Sequence, residues 1–196
     1  MRSLSEQLRA AQEAIDKANA LDPTVIVVRG VSSTLALAQG RLAAEWAHRL
    51  APRADDALLL AARAHHLRRW EVQRTSYPEG KAGYLRWRKD QKSRHAHDVA
   101  ALLGESGYDD ATIARVQALI RRDNLQSDTE AQVVEDAACL VFIETQLATM
   151  ATRLDRDHLL QVIRKTAGKM SVAGLALAAE LPLADVERAL LDEALA

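Results

Sequence analysis

The sequence predicts an all-α protein, and three observations support that prediction. Apolar residues recur every three or four positions along almost the whole chain, beginning with Leu4, Leu8, Ala11 and Ile15. Residue types that cap or break helices, such as Ser, Asp, Pro and Gly, bound these periodic stretches. β-Branched residues cluster only in residues 24–34, TVIVVRGVSST, which is too short to found a sheet. We therefore expect an extended connector there and helices elsewhere.

Each predicted helix is justified by a start signal or a stop signal. Ser3 with Glu6, and Ser127 with Glu130, form capping boxes in which two side chains satisfy free backbone N–H groups of the first turn. Pro52 ends the second helix, because proline cannot continue the backbone hydrogen bonding. In chain order, the predicted helices span approximately residues 4–20, 34–50, 55–69, 82–103, 110–122, 128–152, 157–166, 171–179 and 184–195.

Length and composition indicate one ordinary globular unit. A chain of 196 residues with 48% apolar and 27% charged residues can bury a core, which argues against general disorder. We expect a single helical domain over residues 1–196, with a core of about 1–153 and a C-terminal helical appendage of about 154–196 packed on it. The single cysteine, Cys139, excludes an internal disulfide and a multi-cysteine zinc site.

Charge and hydropathy exclude two classes of partner at the level of the whole molecule. The chain has 26 basic and 27 acidic residues, so no overall field attracts nucleic acid or a membrane surface. The longest apolar runs, residues 25–28 and 57–62, are far shorter than the ~20 residues of a membrane span. The first residues carry frequent charges and lack the apolar region of a secretory signal. We expect a cytoplasmic protein with no membrane partner.

Positive charge is concentrated in residues 63–94, which we call the basic segment. It contains ten basic and three acidic residues, a net charge of +7, whereas the rest of the chain sums to −8. Four of the seven aromatic residues also lie in it, namely Trp70, Tyr77, Tyr84 and Trp87. The segment is interpreted either as an anion-binding surface or as a solvated helix face whose arginines pair with acidic residues elsewhere.

Helical spacing places three ionisable side chains on inward faces of separate helices. His66, His95 and Asp136 each share a face with apolar residues three, four or seven positions away. His65 lies about 100° around the helix from its neighbour and is predicted to be lateral. A buried carboxylate needs a partner, and Gln132 is one turn away from Asp136.

Two imidazoles and one carboxylate form a suitable ligand set for a divalent metal such as Mn, Mg, Fe, Co or Zn in a helical bundle. The alternative is that the histidines are core residues that hydrogen bond to each other and to Asp136.

Five phrases of the sequence resemble the uncharacterised family DUF4202, and together they cover nearly the whole chain. They are IDKANALDP at 15–23, AARAHHLRRWE at 61–71, YPEGKAGYLRWRKD at 77–90, EAQVVEDAACLVFIE at 130–144 and RKTAGKMS at 164–171. The family name implies no activity.

The order of an inner histidine, a second histidine and a late aspartate in EDAACL is similar to the HD superfamily of all-helical, metal-dependent phosphohydrolases. This resemblance implies an HD-like helical bundle, with His66 at the His-Asp doublet, Asp136 at the final aspartate and His95 at an additional histidine. His66 and Asp136 would then be catalytic, and all three residues would bind the metal. The metal would lower the pKa of a bound water and polarise a phosphoryl oxygen.

The sequence departs from the HD pattern at two positions. No aspartate follows His66, so that His65 and His66 would have to serve as the pair, and Gln39 stands where the first histidine is expected. A rival alignment takes His97 and Asp98 as the doublet. These four other residues, His65, His97, Asp98 and Gln39, are therefore less favoured metal ligands.

Two functions follow as expectations. The first is a divalent-metal-dependent phosphohydrolase acting on a nucleotide or a related phosphorylated small molecule. Its predicted substrate-binding residues are the cations Arg69, Arg88 and Lys92 and the aromatic residues Trp70 and Tyr84, with Trp87 as a further stacking candidate. The second is a non-catalytic helical module that binds RNA or another anionic partner through the basic face 63–94.

Overall fold

The computed structural model describes residues 4–195, and within that range the predicted all-α class is confirmed. The helices are α1 (Leu4–Asn19), α2 (Leu35–Leu50), α3 (Asp56–Ala64), α4 (Gly80–Glu105), α5 (Asp110–Arg121), α6 (Thr129–Ala151), α7 (Arg156–Ala167), α8 (Val172–Ala178) and α9 (Asp185–Leu195). Two short strands, β1 (Val25–Val28) and β2 (Val31–Thr34), lie between α1 and α2, and two 3₁₀ turns, Arg69–Glu71 and Arg74–Ser76, lie between α3 and α4. No helix in the described range is both long and apolar enough to cross a membrane.

The predicted connector between α1 and α2 is a β-hairpin. Its strands are antiparallel, with Val28 opposite Val31. The two turn residues, Arg29 and Gly30, have φ values of 50° and 76°, the left-handed pair that a two-residue hairpin turn requires. The Arg29 side chain donates to both carboxylate oxygens of Glu144 on α6. The extended backbone was predictable, but its self-pairing depends on this turn.

Two helix boundaries differ from the sequence prediction. The third helix ends at Ala64 instead of continuing to residue 69. Arg68 follows with a left-handed φ of 52°, and its N–H donates to the buried Asn19 side chain at 3.1 Å. The α6 cap is Asp128 rather than Ser127, because the Asp128 carboxylate accepts from the first free N–H groups of the helix. The other predicted capping box begins at Ser3, outside the described residues.

The interior contains two groups of apolar side chains that meet along α6. One group joins α1, α3, α4 and α5 and includes Ile15 and Leu119. The other joins α2 to α7, α8 and α9 and includes Trp46 and Ile163. Val133 of α6 packs against both groups. The C-terminal helices therefore lie against the same helix that closes the first core.

A glycine sets the separation between α2 and α3. A Cβ atom built on Gly40 would lie 2.6 Å from the backbone oxygen of Arg63, too close for any real side chain. The two backbones approach this closely only because position 40 has no side chain. The neighbouring residue, Gln39, consequently reaches the turn that follows α3.

Candidate functional site

Three histidine rings lie together where the turn after α3 meets α4. The ring centroids of His65 and His66 are 4.0 Å apart, and those of His66 and His95 are 6.2 Å apart. His65 and His95 are only 3% and 1% exposed, whereas His66 is half-buried. The lateral position predicted for His65 is wrong, because α3 has ended before this residue and helical spacing no longer applies.

His65 is a neutral ring held by the end of α3. Its Nδ1 lies 2.8 Å from the Ala62 carbonyl oxygen, which can only accept, so Nδ1 carries the proton. Its Nε2 is buried and has no hydrogen-bond partner among the described residues. Burial, reinforced by the nearby Arg122 guanidinium, lowers the pKa of His65 to about 3.

His66 is held by Gln39, the residue that stands where the HD pattern expects a histidine. The Nδ1 atom of His66 lies 2.8 Å from Gln39 Oε1. Loss of water around the ring, together with the neighbouring His65 and Arg69, keeps the pKa of His66 well below its ordinary value. Gln39 is thus a hydrogen-bond partner of the histidine.

His95 is buried with neither ring nitrogen in a hydrogen bond of ordinary geometry. Burial and the Arg69 charge hold its pKa well below the usual range, although the backbone of Leu67 partly opposes this effect. An orphaned polar ring in a dry interior costs stability, since its nitrogens have lost water without a replacement. This ring is the least satisfied member of the trio.

The structure places Asp136 in a different network. Its Oδ1 accepts from the Ser171 N–H at 2.8 Å and from the Gln132 side chain at 2.9 Å, and its Oδ2 accepts from the Ser171 hydroxyl. A Cβ atom on Gly174 would lie 2.7 Å from the carboxylate carbon, so α8 packs directly on this group. Gln132 is the partner that the sequence suggested, and Ser171 is a second one. The carboxylate fastens α8 to α6.

The side chains present do not form the predicted metal site. Between residues 4 and 195, no group of three or more His, Cys, Asp or Glu side chains is placed to hold a metal ion. His66 and His95 contact each other, but the carboxylate of Asp136 is occupied by its own hydrogen bonds. In the rival alignment, His97 is exposed and Asp98 is its partly exposed neighbour. No metal is therefore assigned to these residues.

Positive side chains collect beside the histidines. We call Arg69, Arg88, Lys92, Arg122 and Lys169 the cationic cluster. Burial lowers the pKa of Arg69 to about 10, and burial together with the charges of Arg122, Arg88 and Lys169 lowers that of Lys92 to about 8. Burial is the larger cause of both shifts, and the neighbouring cations add to it.

One carboxylate faces the cationic cluster. The Glu135 side chain lies 3.1 Å from Nε of Arg122, and both side chains are buried. Burial alone would raise the pKa of Glu135, but the surrounding positive charges, first Arg122 and then Lys92, lower it. This ion pair neutralises one of the five cations.

The remaining members of the cluster have no acidic partner in the described part of the chain. Of the ten cations in the basic segment, only Arg63 and Arg94 form ion pairs there, with Asp16 and Glu71. Several of the others, such as Arg86 and Lys89, are exposed to solvent, so both interpretations of the basic segment stay predictions. The unpaired charge favours an anionic ligand.

The predicted stacking residues Trp87 and Tyr84 differ in their contacts and in their exposure to solvent. The Arg69 guanidinium lies 4.4 Å from the centroid of Trp87, and Arg88 lies 5.8 Å from that of Tyr84. The Trp87 indole also donates to the Val72 carbonyl at 3.0 Å. Tyr84 is 44% exposed, so part of its ring is accessible to a ligand.

Sequence reasoning missed several residues of this region. Arg122 and Lys169 lie outside the basic segment and are recruited by the fold, Arg122 from a left-handed residue after α5. For Lys169, the one indication of a functional role in the sequence is its place in a phrase that resembles DUF4202. Thr145 on α6 accepts a hydrogen bond from Gln39, and nothing in the sequence indicated this role.

Two surface cavities lie away from the histidines. One, of about 720 Å³, is lined by residues that include Leu58 and Val133, and another, of about 620 Å³, by residues that include Tyr108 and Arg115. No predicted site residue lines either cavity.

Comparison with known proteins identifies the family. No curated protein and no solved structure matches the chain. The family model described as Domain of unknown function (DUF4202) matches residues 9–191, a range that includes the three histidines and the whole cationic cluster. The chain therefore belongs to the DUF4202 family.

Proposed function

We propose that the protein is a phosphohydrolase acting on a nucleotide or a related phosphorylated small molecule. The observation that carries the proposal is a neutral, partly exposed imidazole, His66, beside cations that lack acidic partners in the described chain. The resemblance to the HD superfamily suggests the same reaction class and an HD-like arrangement of the bundle.

The cationic cluster supplies the binding energy. Arg69 and Arg88 present planar guanidinium groups that match the oxygens of a phosphate, and Lys92 adds a point charge. Since burial has lowered the pKa of Arg69 and of Lys92, a bound anion would favour their charged forms. Tyr84, exposed at the edge of the cluster, would stack on a nucleobase.

His66 supplies the proton acceptor. A water oxygen forms a bond to phosphorus as the bond to the leaving-group oxygen breaks, and that oxygen departs with the electron pair. The proton of the water passes to the free ring nitrogen of His66, and the arginines and Lys92 stabilise the charge on the phosphoryl oxygens. No step passes through a metal, because the donor set described above does not fit one.

Binding is tested with a panel of phosphorylated compounds. Thermal shift and calorimetry should detect a nucleoside mono-, di- or triphosphate, or a sugar phosphate, that stabilises the wild-type protein. The double variant Arg69→Gln/Lys92→Gln should lose this binding at least tenfold. The matched control is Arg86→Gln/Lys89→Gln, which removes the same charge from two exposed residues of α4, the helix that carries Lys92, and should keep the binding.

Catalysis is tested by release of inorganic phosphate from the compounds that bind. His66→Gln should lower the rate by a factor of about 100 or more while leaving affinity nearly unchanged. Absence of any binding in the panel would refute the proposal. Tight RNA binding with a steep salt dependence, unchanged by His66→Gln, would instead establish the RNA-binding module, because many phosphate contacts release many counterions.

A further inference from the structure

We infer that Gln39 and Thr145 are positioning residues that fix the tautomer of His66, so that Nε2 is the proton-accepting atom. This inference rests on the function proposed above. The three side chains come from α2, α6 and the turn after α3, and they form one chain of hydrogen bonds.

Thr145, at the end of the hydrogen-bond chain away from His66, determines which atoms donate and which accept. The Thr145 hydroxyl oxygen lies 2.7 Å from the Val141 carbonyl oxygen, one turn earlier in α6. Two oxygen atoms approach this closely only with a hydrogen between them, and the carbonyl has none, so Thr145 donates its single hydrogen to Val141. Toward Gln39, Thr145 can therefore only accept.

The amide orientation of Gln39 follows from this requirement. The atom of Gln39 that faces Thr145 must carry hydrogen, which assigns the amide nitrogen to the 3.1 Å contact with Thr145. The amide oxygen is then turned toward His66, 2.8 Å from Nδ1. Gln39 is 5% exposed and lies next to the close helix crossing at Gly40.

The orientation of the Gln39 amide determines the tautomer of His66. An amide oxygen can only accept, so the proton of the neutral imidazole is on Nδ1. The ring has one such proton, so Nε2 carries a lone pair, and no described residue forms a hydrogen bond with it. With the opposite tautomer Nε2 would be a donor, unable to take a proton from water.

The hydrogen-bond chain gives a specific role to the glutamine at position 39. A histidine there, as in the HD pattern, would offer a metal ligand, whereas the glutamine amide translates the Thr145 contact into a defined acceptor for His66. At position 39 the HD pattern expects a metal ligand, whereas this protein has a residue that orients His66.

The tautomer is measured directly by long-range ¹H–¹⁵N correlation spectra of the imidazole side chains in the intact protein near pH 7. The His66 signals are assigned by their loss in His66→Gln. In the wild type, we expect a protonated Nδ1 and an unprotonated Nε2, whose ¹⁵N resonance lies far downfield of the protonated nitrogen.

Thr145→Val removes the hydroxyl with little change of shape and should convert the signals to a mixture of tautomers. Thr145→Ser restores the hydroxyl and should restore the wild-type spectrum.

A wild-type spectrum with the proton on Nε2 would overturn the inference, as would a Thr145→Val spectrum identical to the wild type. Titration with pyrophosphate in the same experiment reports on the proposed function separately. A shift of the Nε2 resonance with pyrophosphate supports binding beside His66. The expected tautomer without any response to pyrophosphate or to the compound panel would leave the positioning role standing and count against the phosphohydrolase.

Discussion

The ring centroids of His66 and His95 lie 6.2 Å apart, yet only the His66 ring has a hydrogen bond of ordinary geometry. The two residues come from different elements, the turn after α3 and the middle of α4. A buried imidazole without partners is unfavourable, so a sequence under selection for stability alone would place an apolar residue at position 95.

Replacing His95 with leucine should stabilise the protein or leave it unchanged. The substitution removes two buried nitrogens that have lost their water, which contributes up to about 1–2 kcal/mol. Urea unfolding at pH 7 measures the change. The control is His97→Leu, an exposed position on the same helix, which should stay within about 0.5 kcal/mol of the wild type. A clear loss of stability in His95→Leu would show that the ring has a structural partner.

Acid should destabilise the fold through His65. Its pKa is about 3 in the folded protein and near 6.5 when unfolded, so the unfolded chain binds more protons between these values. Stability therefore falls as the pH drops below about 6.5, by up to about 1.4 kcal/mol per pH unit for this residue. The ionisable groups that face the ring are Arg122, Arg69 and Glu135, together with the neighbouring His66.

Denaturant unfolding between pH 7 and pH 4.5 measures this dependence. His65→Asn should reduce the slope without abolishing it, because the Asn amide can replace the Nδ1–H bond to the Ala62 carbonyl but does not titrate, while His66 and His95, whose pKa values are also lowered, still contribute. His158→Asn changes an exposed histidine and should keep the wild-type slope. Equal slopes in all three proteins would contradict the assignment.

Gly40→Ala should destabilise the fold. The new Cβ would lie 2.6 Å from the Arg63 carbonyl oxygen, so α2 and α3 must separate, at a cost of about 1–3 kcal/mol. Gly104→Ala is the matched control, since a Cβ there meets nothing within 4 Å and alanine favours the helix by roughly 0.5–1 kcal/mol. Thermal unfolding of both variants should show opposite shifts of Tm. Equal shifts would mean that the helix crossing is not tight.

Removal of divalent metal should leave the melting temperature unchanged. The described residues offer no set of three acidic, thiol or imidazole ligands, and Asp136 is bound by Ser171 and Gln132. Asp136→Asn should instead destabilise the protein by about 1.5–3 kcal/mol with or without chelator, because it weakens charge-assisted hydrogen bonds to Ser171. A Tm that falls with chelator in the wild type, but not in Asp136→Asn, would restore the predicted metal site.

The sequence was informative where structure is local. Periodic apolar residues and capping residues predicted the helices, and the inward face of α4 correctly indicated a buried His95. Spacing also suggested that Gln132 partners Asp136, since one helical turn separates them.

Contacts between distant segments were not predictable in this way. Ser171 reaches Asp136 across 35 positions, and Thr145 reaches Gln39 across 106. His65 was misplaced because a left-handed Arg68, satisfied by Asn19 of another helix, accompanies the early end of α3. Helical periodicity carries no information about such tertiary hydrogen bonds.

The position of α6 between the two groups of apolar side chains bears on how the protein unfolds. Ala131 and Val134 belong to one group, Leu140 and Ile143 to the other, and Val133 touches both. Neither group can lose its packing without exposing a face of this one helix, so the two should melt together in a single cooperative transition. Amide protons of α6 should consequently exchange only through global opening, and the C-terminal helices should not persist as a separately folded fragment.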